Sequence, residues 1–258
     1  MQDAIERAVS TMWQRYDEPL SLDAMAHSAF LSRFYFSRSF RSVTGTSPGR
    51  FLSAIRLYQA KKLLLETELS VTDIAYGVGY NSPGTFISRF SRSVGLPPAR
   101  YRCLVRRGLP QLGPAGPAVP PRPAVIRGRL TVPSADTPVK VYVGVFDSPI
   151  VQGRPPSCDV LGGSGEYRLS EVPPGTWHLR AAAIRAAADG PQPPGRRLLA
   201  VAASGPVTVT SGVCLTVDLT LHETGALDLP ILVALPGLDG CGGPGRRLAA
   251  AEGQRRSG

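Results

Sequence analysis

Two stretches of this sequence place arginine and hydroxyl side chains on one face of a helix and phenylalanines on the other. They are RFYFSRSFR, from Arg33, and PGTFISRFSR, from Pro83. The side chains that lie away from the apolar stripes, or flank them, are Phe34, Ser37, Arg38, Arg41, Gly84, Thr85, Ser88, Arg89 and Arg92. Guanidinium and hydroxyl groups bind phosphates and base edges, so these residues suit recognition of a nucleic acid.

Arg38 is the best candidate for reading a base directly. An arginine can donate two hydrogen bonds to guanine, one to O6 and one to N7, and this bidentate contact is worth roughly 1 to 3 kcal/mol of discrimination against other bases. The alternative is that Arg38 binds a phosphate or only water. Phe34 has two interpretations as well: its ring packs on a thymine methyl or a sugar, or it is buried within the domain.

The second stretch carries smaller side chains. Gly84, Thr85 and Ser88 allow close approach to a groove but offer little hydrogen-bond information. Arg89 and Arg92 flank them and are expected to contact phosphates or to remain solvated. We therefore expect the second stretch to read bases less stringently than the first.

The elements that must position these residues repeat with an offset of 50 residues. Each copy pairs a short helix with a second helix that starts at a serine, Ser32 or Ser82, and ends at a glycine. The apolar stripes of the two second helices are Phe36, Phe40 and Val43, and Phe86, Phe90 and Val94. Each copy is thus a helix-turn-helix. Two copies are too few for an α-solenoid, which needs about three units.

The segment between the copies, RFLSAIRLYQAKKLLLETE, predicts one long bridging helix. Its predicted apolar side contains Leu52, Ile55, Ala60, Leu63 and Leu64, and its predicted basic side contains Arg56, Lys61 and Lys62. A stiff helix of this kind would hold the two helix-turn-helix units in one arrangement.

Residues 3–105 resemble the DNA-binding domain of the AraC/XylS family of transcription regulators. The resemblance rests on SLDAMA, FSRSFRSVTGTSPGRF, RLYQAKKLL, SVTDIAYGVGYNSPGTFISRF and SVGLPPARYR, in that order. It implies seven helices, two homeodomain-like helix-turn-helix units and a recognition helix from each unit in the major groove of double-stranded DNA. Many family members carry a longer polar residue at the position of Gly84.

Charge agrees with a polyanionic partner. The chain carries a net charge of +10, and residues 1–107 hold 15 basic against 8 acidic residues. HExxH and P-loop motifs are absent, the four cysteines lie far apart, and no 18-residue apolar run exists. We expect a cytoplasmic, non-enzymatic protein without cofactor, metal site or membrane segment. The alternative function is non-specific architectural DNA binding, which usually involves a polybasic tract or an apolar wedge.

The composition changes after residue 107. We predict a multidomain α and β chain: an all-α DNA-binding domain over 1–107, a Pro/Gly-rich linker over 108–123, an all-β sandwich over 124–235 and a disordered tail over 236–258. Within the sandwich, here called the β-domain, GEYRLSEVPPGTWHLRAAA predicts two neighbouring strands joined by a Pro-Pro-Gly turn. The apolar piece DLPILVALPGL is expected to pack back on the β-domain.

The β-domain resembles the carboxypeptidase regulatory-like or transthyretin-like sandwich, and the resemblance brings no catalytic residues. Its open roles are binding of a small-molecule effector, dimerisation, or contact with RNA polymerase or another protein. Trp177 and His178 either mark a ligand pocket or are a core residue and its exposed neighbour, and we favour the second interpretation. Cys158 and Cys214 are either oxidant sensors or inert, and inert cysteines are favoured.

Overall fold

The structure is a computed structural model that describes residues 1–107, 124–133, 139–185 and 198–234. These residues form seven helices and nine strands. The helices are α1 (Gln2–Gln14), α2 (Leu22–Ser28), α3 (Arg33–Thr44), α4 (Pro48–Glu66), α5 (Val71–Gly77), α6 (Pro83–Val94) and α7 (Pro98–Arg107). The strands are β1 (Ala124–Thr131), β2 (Val139–Phe146), β3 (Cys158–Leu161), β4 (Gly165–Val172), β5 (Gly175–Arg185), β6 (Leu198–Val209), β7 (Cys214–Thr216), β8 (Leu219–Thr220) and β9 (His222–Glu223). The predicted linker and tail lie outside the described residues.

The helical domain has the seven helices that the family resemblance implies. Side chains of serines at the N-caps accept backbone N–H groups in four helices, at Ser21, Ser47, Ser70 and Ser82. Ser32 occupies the N-cap of α3 without such a bond. Gly45 and Gly95 end the two recognition helices, α3 and α6, in the left-handed conformation. None of the described helices is long and apolar enough to cross a membrane.

The bridging helix α4 takes part in two hydrophobic cores. Phe51, Leu52 and Ile55 pack in the first core with residues of α1, α2 and α3. The second core, with residues of α5, α6 and α7, receives Ala54, Leu57, Ala60 and Leu64 from α4. Most sides of α4 are buried in one core or the other, which leaves little room for a polar face. Both helix-turn-helix units therefore pack against the same helix.

The predicted basic side of α4 is therefore wrong at two of its three residues. Lys61 is only 4% exposed. Arg56 is half-buried and donates hydrogen bonds to the carbonyl oxygens of Tyr16 and Glu18, and burial lowers the pKa of its guanidinium. Lys62 alone is exposed as expected.

The β-domain is a sandwich of two sheets. One sheet has the order β4-β1-β7, with β8 also paired to β1, and the other has the order β3-β2-β5-β6-β9. Buried residues of β1 and β4 pack against those of β2, β5 and β6 in a common core. β1 pairs in parallel with β7 and β8, so the first sheet is mixed rather than antiparallel.

The prediction that the strands around Pro173, Pro174 and Gly175 are neighbours is wrong. β4 pairs with β1, whereas β5 pairs with β2 and β6 in the opposite sheet. The Pro-Pro step thus carries the chain from one sheet to the other. Tyr167 and Leu169 point inward, and the Tyr167 hydroxyl donates to the Val217 carbonyl at 2.5 Å. Burial, with a smaller contribution from Asp218, raises the pKa of Tyr167 to about 12, so the hydroxyl keeps the proton that it donates.

Residues 227–234, here called the strap, lie between the two domains. Ile231 and Val233 pack on the outer face of the second sheet, as expected from the sequence. Leu232 and Ala234, which alternate with them, lie in the second helical core. Side chains of the strap alternate between the helical core and the sheet, with the period of two that a β-strand has. It joins the domains, a role that the sequence prediction missed.

A close backbone approach ties the second helix-turn-helix to the loop between α1 and α2. Gly79 has a φ of +83°, and a Cβ at this position would lie 2.7 Å from the Asp17 carbonyl oxygen and 2.9 Å from that of Tyr16. Both obstacles are backbone atoms, which cannot rotate away. Only glycine fits here without strain.

We predict that Gly79→Ala lowers the free energy of unfolding by about 2 kcal/mol or more, because the left-handed conformation alone costs an L-residue about 1 to 2 kcal/mol. The control is Gly77→Ala, since a Cβ there meets nothing within 4 Å. It should leave stability unchanged or raise it by up to about 1 kcal/mol. Chemical denaturation of both variants tests this, and equal stabilities would contradict the assigned clash.

Candidate nucleic-acid interface

The first recognition helix, α3, presents most of its candidate residues to solvent. Phe36 and Phe40 are buried and hold the helix on the first core. Arg38 and Arg41 are exposed and Ser37 is partly exposed. The helix therefore offers two guanidinium groups and a hydroxyl from one side, the chemistry needed for phosphates and for guanine.

Phe34 is 77% exposed, so the interpretation that it is buried in the domain is wrong. The guanidinium carbon of Arg33 lies 5.0 Å from the centroid of its ring, within the range of a cation–π contact. This pair puts an apolar surface and a positive charge together at the start of α3.

The second recognition helix, α6, exposes Gly84, Thr85, Ser88 and Arg92. The predicted stripe of Phe86, Phe90 and Val94 is buried. A Cβ on Gly84 would meet only the Ser82 hydroxyl oxygen, at 3.7 Å. The leading edge of α6 is thus open to the approach of another molecule.

Arg89 is also exposed, but its guanidinium turns toward the bridging helix. Its Nη1 donates to the Ser53 hydroxyl at 3.4 Å, and that hydroxyl is 3.2 Å from the hydroxyl of Tyr80. The first contact is long for a hydrogen bond. Arg89 can therefore reach a phosphate after a rotamer change, or neutralise one from its present place.

The N-termini of both recognition helices carry a positive field. Neither α3 nor α6 has an acidic residue in its first turn. Unpaired N–H groups and the helix dipole favour anions at such ends. Arg33 adds a charge at α3, and its pair with the exposed Asp23, at 3.9 Å, is a weak surface contact.

Sequence reasoning missed two exposed side chains on these faces. Tyr35 is 50% exposed on α3, and Ile87 is 40% exposed on α6. The 50-residue offset could have found both, because Tyr35 matches Thr85 and Ile87 matches Ser37. Val43 was assigned to the buried stripe of α3, but it is 38% exposed. It lies in the last turn, beyond the reach of the first core.

A concave site lies at one end of the β-domain, next to the helical domain. Its volume is about 320 Å³, and its lining includes Phe146, Asp147, Gln152, Arg154 and Trp177. This volume is at the lower end of the range for small-molecule sites, which typically combine an apolar surface with a few polar groups.

The favoured interpretation of Trp177 and His178 holds only in part: Trp177 packs against the core of the β-domain but also lines the cavity, and His178 is partly buried rather than exposed. The indole N–H of Trp177 donates to the Pro173 carbonyl at 2.7 Å, which fixes the ring. Burial, followed by the charge of Arg180, lowers the pKa of His178, which favours the neutral imidazole. Cys158 and Cys214 are free and exposed. Partial loss of hydration, followed by the charge of Asp159, raises the pKa of the Cys158 thiol. The described residues contain no group of three or more His, Cys, Asp and Glu side chains that could hold a metal ion.

Comparison with known proteins identifies the helical domain. Residues 25–103 match a family described as a helix-turn-helix domain. Regulatory protein SoxS of Salmonella typhimurium is 34% identical over 101 residues, which are 39% of this chain and 94% of SoxS. The lactose operon transcription activator of Staphylococcus xylosus is 30% identical over 98 residues, which are 38% of this chain and 35% of that activator. A solved structure of the DNA-binding domain of AdpA in complex with a target DNA is 34% identical, covers 42% of this chain and 96% of that domain, and has a TM-score of 0.39.

The family match ends at residue 103, so the likeness of the β-domain to carboxypeptidase regulatory-like or transthyretin-like sandwiches stays a prediction. For the helical domain, nearly the whole of SoxS aligns at 34% identity. The seven helices, the duplicated helix-turn-helix and the shared bridging helix are those that the quoted motifs imply. The chain therefore belongs to the AraC/XylS family of DNA-binding transcription regulators.

Proposed function

We propose that this protein regulates transcription by reading two adjacent major-groove segments of one DNA duplex, one with each recognition helix. The observation that carries the proposal is the sharing of α4 by both helical cores, with an exposed polar face on α3 and another on α6. Two helices on one support must approach the same duplex together. An architectural binder would be expected to use a polybasic tract or an apolar wedge instead.

Within this proposal the two helices have different tasks. Arg38 is exposed, and in the described part of the chain it makes no hydrogen bond or ion pair, so it is free to fork onto a guanine. Phe34 supplies an apolar contact, for which a thymine methyl is the matching group. Thr85 and Ser88 on α6 offer only hydroxyls, while Arg92 is assigned to a phosphate.

We expect Arg38→Ala to relax the preference for one base pair in the first segment and to cost about 1 to 3 kcal/mol of discrimination. Arg92→Ala is the matched control, because it removes the same charge from the other recognition helix. It should weaken binding equally on all sequences and reduce the slope of log affinity against log salt by about 1. Binding assays on single-base variants of a selected site distinguish the two residues. Equal effects of both changes on every DNA would mean that Arg38 is only a phosphate contact.

Footprinting of one bound molecule should protect two unlike segments about ten base pairs apart, which is one helical turn. The segments should differ because α3 and α6 carry different side chains. Scrambling the first segment should cost more affinity than scrambling the second. Protection of a required palindrome, with one segment for each subunit of a dimer, would refute the proposal.

For the β-domain we infer binding of a small effector with a flat ring in the cavity beside Trp177. Trp177 offers a fixed aromatic surface, and the amide of Gln152 and the guanidinium of Arg154 offer hydrogen-bond donors. No feature of the described residues singles out a surface for RNA polymerase. Because the proposed target is genomic DNA, we place the protein in the cytoplasm.

A thermal-shift screen of aromatic and heteroaromatic carboxylic acids tests the effector site. At least one compound should raise the melting temperature of the unaltered protein and not that of Trp177→Leu. Trp177→Phe, which keeps a ring, should retain part of the shift. Compounds that shift Trp177→Leu equally, or the absence of any shift across the set, would argue against this ligand class.

A further inference from the structure

The β-domain and the strap cap the end of the second recognition helix. The last carbonyl groups of a helix have no donor within the helix and need partners from elsewhere. The Ser93 carbonyl accepts from the backbone N–H of Gly153 at 2.7 Å, and the Val94 carbonyl accepts from that of Ala234 at 3.2 Å. The Ser93 hydroxyl also donates to Oε1 of Gln152 at 3.2 Å. Two separate segments of the chain thus hold the last turn of α6.

Lys61 connects the same strap to the bridging helix. Its Nζ donates to the carbonyl oxygens of Ile231 and Val233, at 3.4 and 3.2 Å, and lies 5.8 Å from the ring centroid of Tyr101. A buried ammonium group is costly unless hydrogen bonds satisfy it. The strap supplies such bonds with its backbone, so the position of Lys61 on α4 determines where the strap lies.

The β-domain also contacts the first helix-turn-helix. The side chain of Pro149 is 3.5 Å from the place of a Cβ on Gly45, the residue that ends α3. Leu227 and Leu229 of the strap pack on the first helical core, and Leu229 packs on the second core as well. The ends of both recognition helices are therefore contacted by one body.

We propose that the β-domain and strap form a bracket that sets the distance and rotation between the two recognition helices, and thereby the number of base pairs allowed between the two DNA segments. Lys61, Ser93 and Gln152 are its positioning residues. This proposal rests on two-segment reading. Its physical reason is that one inserted base pair shifts the second segment by about 3.4 Å and rotates it by about 34°. A braced protein cannot follow that change.

The experiment measures the spacing penalty, defined as the affinity for a selected site divided by the affinity for the same site with one base pair inserted between its segments. The full chain is compared with Lys61→Met, which keeps the length of the side chain but removes the donor to the strap. The matched control is Lys62→Met, which removes the neighbouring charge from the exposed side of α4. Because the penalty is a ratio for a single protein, a general loss of affinity or of folded fraction cancels.

We expect a spacing penalty of about tenfold or more for the unaltered protein and for Lys62→Met, the equivalent of about 1.4 kcal/mol. For Lys61→Met it should fall to about threefold or less, which is about 0.7 kcal/mol. The double variant Ser93→Ala/Gln152→Ala loosens the bracket at α6 without touching Lys61 and should act in the same direction. It keeps the test decisive if Lys61→Met does not fold.

Two further results separate this inference from the proposed function. If scrambling either segment leaves affinity unchanged, two-segment reading itself fails. If both segments matter but the unaltered protein tolerates the insertion, the bracket is wrong while the proposed function stands. A full penalty in folded Lys61→Met, or in the folded double variant, would likewise overturn the role of the bracket.

Discussion

The packing of one helix into two hydrophobic cores is the constraint on which the rest of this structure depends. Because α4 gives Phe51 and Ile55 to one core and Leu57 and Leu64 to the other, neither helix-turn-helix can be removed without exposing apolar surface of α4. The same packing limits independent movement of the recognition helices without abolishing it, which leaves a role for the bracket. Lys61 lies on a buried side of this helix, so its ammonium group needs hydrogen-bond acceptors from elsewhere. The backbone carbonyls of Ile231 and Val233 in the strap provide them.

The sequence predicts those features of the fold that depend on neighbours a few residues away. Local rules predict the helix periodicity, the serine caps and the closing glycines Gly45 and Gly95. Because the unit is duplicated, each pattern can be recognised in two copies. The same rules identified most of the exposed side chains of α3 and α6, but not Tyr35 and Ile87. They failed at Val43. Its spacing continues the apolar stripe of α3, but the first core does not extend to this position, and the side chain is exposed.

The errors have a common physical origin in contacts between distant residues. Lys61 looks like a surface residue because nothing near it in sequence shows that residues 231 and 233 will cover it. Alternation of apolar residues in β4 and β5 predicts two strands but not their sheets, since period two is equally suited to a hairpin and to a crossover. The strap has apolar residues at successive positions, and only the packed structure shows that they serve two surfaces.

The two helix-turn-helix units are similar in fold but differ in what surrounds them. The first exposes Phe34 and Arg38, the large side chains proposed to contact bases, and its α3 is contacted by the β-domain at the closing glycine. The second exposes small side chains, and its α6 gives two terminal carbonyls to the β-domain and strap. A helix that carries little base information still contributes to specificity if its position is held, because a misplaced duplex then loses its phosphate contacts. Under the proposed two-segment reading, base contacts of the first unit and the fixed position of the second are therefore complementary ways of rejecting the wrong DNA.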